Sequence, residues 1–264
     1  QIPEASRNAR GTAIVNLLQL MPGEKIAAAM AVEQFEGAKN LLMVTKKGLI
    51  KKTALSEYNN IKKTGIIAIS LREEDELISC DMTDGHREIV MITKKGRSIR
   101  FNEEDVRATG RNSMGVIGMK FSVPEDEVVT IALDIQGEDI LFATENGMGK
   151  RTSFSEFRAQ HRGGKGILCY KVTAKTGDLV AGCAVDPGDQ IMMITNQGTV
   201  MRMSVDEISV IGRNTSGVKL INVSQSEEIK LTGMARIWSG FLTAFTALTP
   251  PARAIPAARG WVFR

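Results

Sequence analysis

Residues 160–166 read Gln-His-Arg-Gly-Gly-Lys-Gly, with three side chains able to carry positive charge, three glycines and no acid. Glycine lets a backbone approach a ligand closely and take positive φ, and Arg and Lys bring charge to the same surface, so this composition suits a polyanion. Spacing excludes a nucleotide-binding P-loop, because Lys165 is followed by Gly166 and Ala159 stands five residues before Gly164. Other chemistries have less to work with. The two histidines (His86, His161) and three cysteines (Cys80, Cys169, Cys183) lack metal-ligand or CxxC spacing, and no nucleophile elbow occurs. Binding rather than catalysis is the expectation, without a cofactor in this segment and with reduced thiols of a cytoplasmic protein.

The elements that must position this stretch recur along the chain. Thr45 with Gly48, Thr93 with Gly96, Thr144 with Gly147 and Thr195 with Gly198 are spaced 48, 51 and 51 residues apart. Four residues after each glycine stands a base (Lys52, Arg100, Arg151, Arg202), and nine after it an acid (Glu57, Asp105, Glu156, Glu207). A second glycine closes a basic loop in every unit: Gly11, Gly65, Gly115, Gly166 and Gly217, with Arg7, Arg111, Arg162 and Arg213 four residues earlier and Lys62 and Lys63 in the remaining copy. Self-similarity at this period signals a propeller or solenoid. NLLMVT, EIVMIT, DILFAT and QIMMIT are short apolar runs bounded by turn residues, and DELISCDM, DEVVTIALD and GDLVAGCAVD fill the later part of three units. KIAAAMAV has the composition of a helix, but it occupies the slot of ELISCDM and LVAGCAV, so its register predicts a strand. The fold expected is all-β, a propeller-like pinwheel of four-stranded blades with units at about 38–86, 87–137, 138–188 and 189–237, preceded by part of a fifth at 1–37. Residues 238–264 match no unit and are expected to lie outside the domain, disordered or foreign to it.

Charge is sorted by phase. The halves from each Thr to the loop-closing Gly hold 19 bases and 8 acids, whereas the stretches that follow them hold 8 bases and 18 acids. Units arranged alike about an axis bring equal phases to equal positions, so the basic halves should form a cationic rim and the acidic runs REEDE, PEDE and SQSEE another band. Such a rim suits duplex DNA bent around it, since phosphate contacts carry no sequence and release counterions. Smooth bending of a short site costs about 1 to 6 kcal/mol, which several Lys and Arg contacts must offset. Bases four residues after the turn glycine could instead pair with the acids five residues further on. The methionines of the apolar runs (Met43, Met91, Met192, Met193) read as core.

The phased repeat, the box QHRGGKG and the phrases IPEASRNARG, VNLL, VRATGRNSMGV and ISVIGRNTSGV closely resemble the family of C-terminal β-pinwheel domains of DNA gyrase A, over residues 1 to about 237. The resemblance implies a module that wraps double-stranded DNA with a positive crossover, within a cytoplasmic, nucleoid-associated bacterial type II topoisomerase that introduces negative supercoils. It further implies partnership with gyrase B and the N-terminal part of gyrase A in a heterotetramer, where ATP and Mg are used and where the catalytic residues reside. In the family's box Arg stands where this chain has His161, and the box lies in the first blade rather than the last but one. The chain is thus expected to open within the second blade, and the 160–166 box is either the functional box or a secondary copy of one that precedes it. On this reading the DNA-facing residues are Gln160, His161, Arg162, Gly163, Gly164, Lys165 and Gly166 of the box. To these are added Arg7, Arg10, Lys62, Lys63, Arg111, Arg158 and Arg213 of the loops, and Lys51, Lys52, Arg100, Lys150, Arg151 and Arg202 of the strands. The equivalent domain of topoisomerase IV, and a propeller that binds acidic proteins without DNA, are the alternatives; four units and the near-intact box disfavour the first.

Overall fold

The computed structural model describes residues 16, 28–31, 39–59, 65–223, 229–237 and 260–263. Strand β1 (Ala28–Ala31) lies within KIAAAMAV. Unit 38–86 supplies β2 (Asn40–Thr45), β3 (Leu49–Ala54) and β4 (Leu77–Thr83), and unit 87–137 supplies β5 (Glu88–Thr93), β6 (Arg97–Asn102), β7 (Val116–Ile117) and β8 (Val128–Leu133). Unit 138–188 supplies β9 (Asp139–Thr144), β10 (Met148–Ser153), β11 (Ile167–Leu168) and β12 (Leu179–Val185). Unit 189–237 supplies β13 (Gln190–Thr195), β14 (Val200–Ser204), β15 (Val218–Lys219) and β16 (Leu231–Ile237). Strand β17 (Gly260–Phe263) pairs antiparallel with β1.

Each Thr-x-x-Gly builds the tight turn of a hairpin. The Gly48, Gly96, Gly147 and Gly198 amides donate to the carbonyls of Thr45, Thr93, Thr144 and Thr195 at 2.9–3.1 Å. These glycines take φ between +74 and +82°, the left-handed region in which a side chain is strained. The threonine hydroxyl serves the same turn, accepting the amide of Leu49, Arg97, Met148 or Thr199 at 3.2 Å. The second hairpin strand then ends in a short 3-10 turn that carries the recurrent acid, as at Glu103–Asp105, Phe154–Glu156 and Val205–Glu207.

The sheets do not coincide with the repeat units. Three have the order β4-β2-β3-β7, β8-β5-β6-β11 and β12-β9-β10-β15, so each outermost strand is contributed by the following unit. Among the described residues the fourth sheet has the order β14-β13-β16. The inner strands β4, β8, β12 and β16 contact one another in succession, which sets the blades about a common centre. Because blades stack face to face, the first hairpin strand of a blade is buried on both sides. Leu42 and Val44 of β2 pack with Ile89 and Met91 of β5, Val90 and Ile92 with Ile140 and Phe142 of β9, and Leu141 and Ala143 with Ile191 and Met193 of β13. Burial on both faces explains why these segments read as continuous apolar runs rather than alternating ones. Met192 departs from the core expectation: it is 41% exposed, on the face of the last blade that no described blade covers.

Candidate nucleic-acid interface

The basic loops 107–115, 158–166 and 209–217 run along the outer edge of the preceding unit's hairpin. Parallel bridges join Ala108 to Lys52, Ala159 to Arg100 and Val210 to Arg151. In each case the next amide, of Thr109, Gln160 or Ile211, donates to the same base's carbonyl at 2.8–2.9 Å. The closing glycine is required at this docking. Gly115, Gly166 and Gly217 have φ of +84, +65 and +73°, and a Cβ there would lie 2.5, 2.2 and 2.3 Å from the carbonyl oxygens of Ile50, Ser98 and Gly149.

Several cations assigned to DNA from the sequence lie beneath the loops instead. Lys51 and Lys150 are fully buried. Lys51 donates to the carbonyls of Ala68 and Arg111, and Lys150 to those of Gly212 and Arg213 at 2.9 and 2.5 Å and to Thr215 Oγ1 at 3.1 Å. Burial, reinforced by Arg111 beside Lys51, lowers both amines from 10.5 to about 8. Lys150 also lies over the rings of Tyr170 and Phe142. Lys52, Arg100 and Arg151 reach into the next unit's 3-10 turn, donating to the carbonyls of Glu103, Phe154 with Phe157, and Ile208. Their acid partners are Glu103, Glu88 and Asp139, not the acids five residues downstream. Lys51, Lys52, Lys150 and Arg151 are therefore corrected from phosphate contacts to buried supports; a side chain beneath the loop cannot reach a ligand lying on it.

Arg162 and Arg213 are half-buried staples. Arg162 Nε donates to Asp105 O at 2.8 Å and its Nη1 to Ile117 O at 3.0 Å, and Arg213 Nη1 donates to the equivalent Leu168 O at 2.9 Å. Arg97, in turn, clamps the box by donating to Lys165 O and Gly166 O at 2.9 and 2.8 Å. Gly163, at φ +80°, donates its amide to Gly118 O at 2.6 Å. Gln160 is half-buried, its side-chain amide nitrogen enclosed. The basic side chains left at the surface of the 158–166 loop are Arg158, His161 and Lys165. The His161 side chain is 99% exposed, 3.4 Å from Asp105. Arg202 is exposed, Arg111 half-buried, and Arg7, Arg10, Lys62 and Lys63 lie outside the described residues.

The geometry adds residues that sorting charge by phase does not single out. Arg107 is exposed in the position Arg158 holds one unit later. Lys120 and Lys171, both exposed, follow the exchanged strand, and their amides bind the next basic loop at Gly164 O (2.9 Å) and Thr215 O (3.0 Å). The available signal was position: each stands five residues after a loop-closing glycine, inside a stretch dominated by acids. Conversely, Lys46, Lys47, Lys94 and Lys95 of the turns belong to basic halves but pair with Glu127, Glu74, Glu127 and Asp178. The acidic runs thus neutralise the turn end of the blades and leave the exposed cations on the loops at the outer edge. Exposed phosphates would meet three successive loops with similar geometry, a spacing suited to a backbone and not to base edges.

A family model described as the DNA gyrase C-terminal domain, beta-propeller, matches residues 1–33, 39–84, 87–133, 138–185 and 189–230. The chain is 44% identical over 237 residues to the DNA gyrase A protein of Salmonella typhimurium, a match covering 90% of this chain and 27% of that protein. It thus spans about a quarter of that relative's length. Among solved structures, it is similar to a DNA gyrase A C-terminal domain (TM-score 0.78, 26% identity, 87% of this chain and 76% of that one). It also shares its fold with the C-terminal domain of a DNA topoisomerase IV (TM-score 0.81, 22% identity, 91% and 76%).

Proposed function

The chain belongs to the DNA gyrase C-terminal domain family, and from that membership we propose that its outer edge binds and wraps double-stranded DNA in support of ATP-dependent negative supercoiling. The observation that supports this most is the repetition of one loop geometry on consecutive blades, with exposed cations on the first two loops (Arg107; Arg158 and Lys165) and a buried lysine holding loop carbonyls in the first and third. Arg107, Lys120, Arg158, His161, Lys165 and Lys171 are the side chains that meet phosphates. Arg162 and Arg213 hold the loops to the preceding unit and offer their outer edge to the same strand. The wrapping unit is residues 1–237. In the assembled enzyme, cytoplasmic and associated with the nucleoid, the partners are gyrase B and the N-terminal part of gyrase A. The breakage and rejoining of strands, and the use of ATP and Mg, belong to those parts. Among the described residues no group of His, Cys, Asp and Glu is arranged to hold a metal ion.

Salt titration tests the proposal. Log affinity for duplex DNA should fall with log salt with a slope of about 0.9 per phosphate neutralised. A duplex of about 150 base pairs should bind better than one of about 30, because only the longer can follow the edge. Replacing Arg158 and Lys165 with Ala should reduce the slope by about 2 and weaken all sequences alike. Binding that is insensitive to salt and duplex length, or that is lost for some sequences only, overturns it.

A further inference from the structure

The three basic loops are held to the preceding hairpin in two different ways. Beneath loops 107–115 and 209–217 lies a buried lysine three residues after the turn glycine: Lys51 donates to Arg111 O, and Lys150 to Gly212 O and Arg213 O. Under the box the same position is Ile99, also buried, with its Cδ1 3.4 Å from the Cβ position of Gly164. An apolar side chain gives the loop no donor. The box is held instead from the strand edge by Arg97, one residue after the turn glycine, whose Nε donates to Lys165 O at 2.9 Å and Nη2 to Gly166 O at 2.8 Å. Leu49 and Met148 stand at that position in the neighbouring hairpins and have nothing to donate.

The clamp goes together with the residue it holds. The position before the loop-closing glycine is Met114, Lys165 or Ser216, so the one loop of the three with a base there is the one whose hairpin supplies an arginine. Lys165 has particular need of it. Gly163, Gly164 and Gly166 surround this residue, and glycine leaves a backbone the most conformational freedom to lose. The peptide group before Lys165 is fixed by the Lys120 amide, which donates to Gly164 O at 2.9 Å, and the two that follow are fixed by Arg97. A guanidinium presents its donors as a planar fork, and hydrogen bonds from a charged donor are roughly twice as strong as neutral ones. One side chain of unit 87–137 therefore sets the main chain from which the exposed Lys165 of the next unit projects.

We propose that Arg97 is a positioning residue for DNA binding: it fixes the box so that Lys165 meets a phosphate, and does not contact the DNA itself. The proposal rests on the reading of these loops as the DNA-binding edge. Its energetic basis is preorganisation, since a lysine on an unclamped glycine-rich loop would have to order that backbone on binding.

A double-mutant cycle between Arg97 and Lys165 in the 264-residue chain, read as affinity for the long duplex at one salt concentration, tests it. Arg97→Leu and Arg97→Met introduce the side chains that Leu49 and Met148 carry in the neighbouring hairpins, and both should keep the far-ultraviolet circular dichroism of the wild type. Either should lower affinity about fivefold while Lys165 is present, and less than about twofold in a Lys165→Ala chain, because the residue through which Arg97 acts is then gone. Equal losses in the two backgrounds overturn the proposal: they are the result of a direct phosphate contact by Arg97 or of a general loosening of the fold, neither of which depends on Lys165. Loss of the wild-type dichroism in both variants also overturns it, since Arg97 would then hold the fold and not the box. If Lys165→Ala weakens binding and the Arg97 variants do not, the proposal fails while the DNA-binding reading of the box stands. If Lys165→Ala itself leaves affinity unchanged, both fail together.

Discussion

Lys51 and Lys150 show how a charged residue can be indispensable to a cationic surface without touching what the surface binds. A buried amine stays only if its donors are used, and here they hold carbonyls of the basic loop, that of Arg111 for Lys51 and those of Gly212 and Arg213 for Lys150. Lys150→Met is a well-fitted test, because Met201 occupies the same phase in the last unit. It should cost about 1–3 kcal/mol, seen as a lower urea midpoint with an unchanged slope. The pH dependence has a defined sign. The folded amine titrates near 8 and the unfolded one near 10.5, so between these values the unfolded chain binds more protons and this residue's contribution to stability rises with pH. The variant should lack that rise over the same window in parallel denaturation curves. Gly166→Ala meets both a positive φ and a carbonyl 2.2 Å away, and should destabilise by more than about 1 kcal/mol in the same measurement.

At the scale of elements, the hairpin turns are held by a cap from elsewhere in the chain. Asp126, buried, accepts the Lys95 amide at 2.9 Å and the Thr93 hydroxyl at 2.8 Å, and Asp75 accepts the Lys47 amide at 2.9 Å. The acidic runs are thus built into the turns of their own and the preceding unit, not only into a repulsive band. Thr93→Val should cost about 1–2 kcal/mol by leaving Asp126 short of a donor, measured by thermal denaturation. The turns themselves were legible because Thr-x-x-Gly closes within four residues and depends on local backbone conformation. The destination of Lys52, Arg100 and Arg151 was not, because each bonds to carbonyls about fifty residues away that only packing brings near.

Among the described residues three successive blades borrow their outer strand from the next, so stability should be coupled between neighbours. The last blade has three described strands, and its amides over Val200–Ser204 should exchange with solvent sooner than those of β3, β6 and β10 in dilute hydrogen-exchange experiments. Period, turn chemistry and the all-β architecture followed from the chain alone, since each rests on residue types at short, repeated spacing. The same spacing identified which loops are cationic, and the resemblance indicated for what. Which of those cations are buried and which unit completes which sheet were decided only by tertiary packing. Those outcomes depend on contacts between residues far apart in sequence, where a lysine beneath a loop and a lysine upon it occupy equally basic positions in the chain.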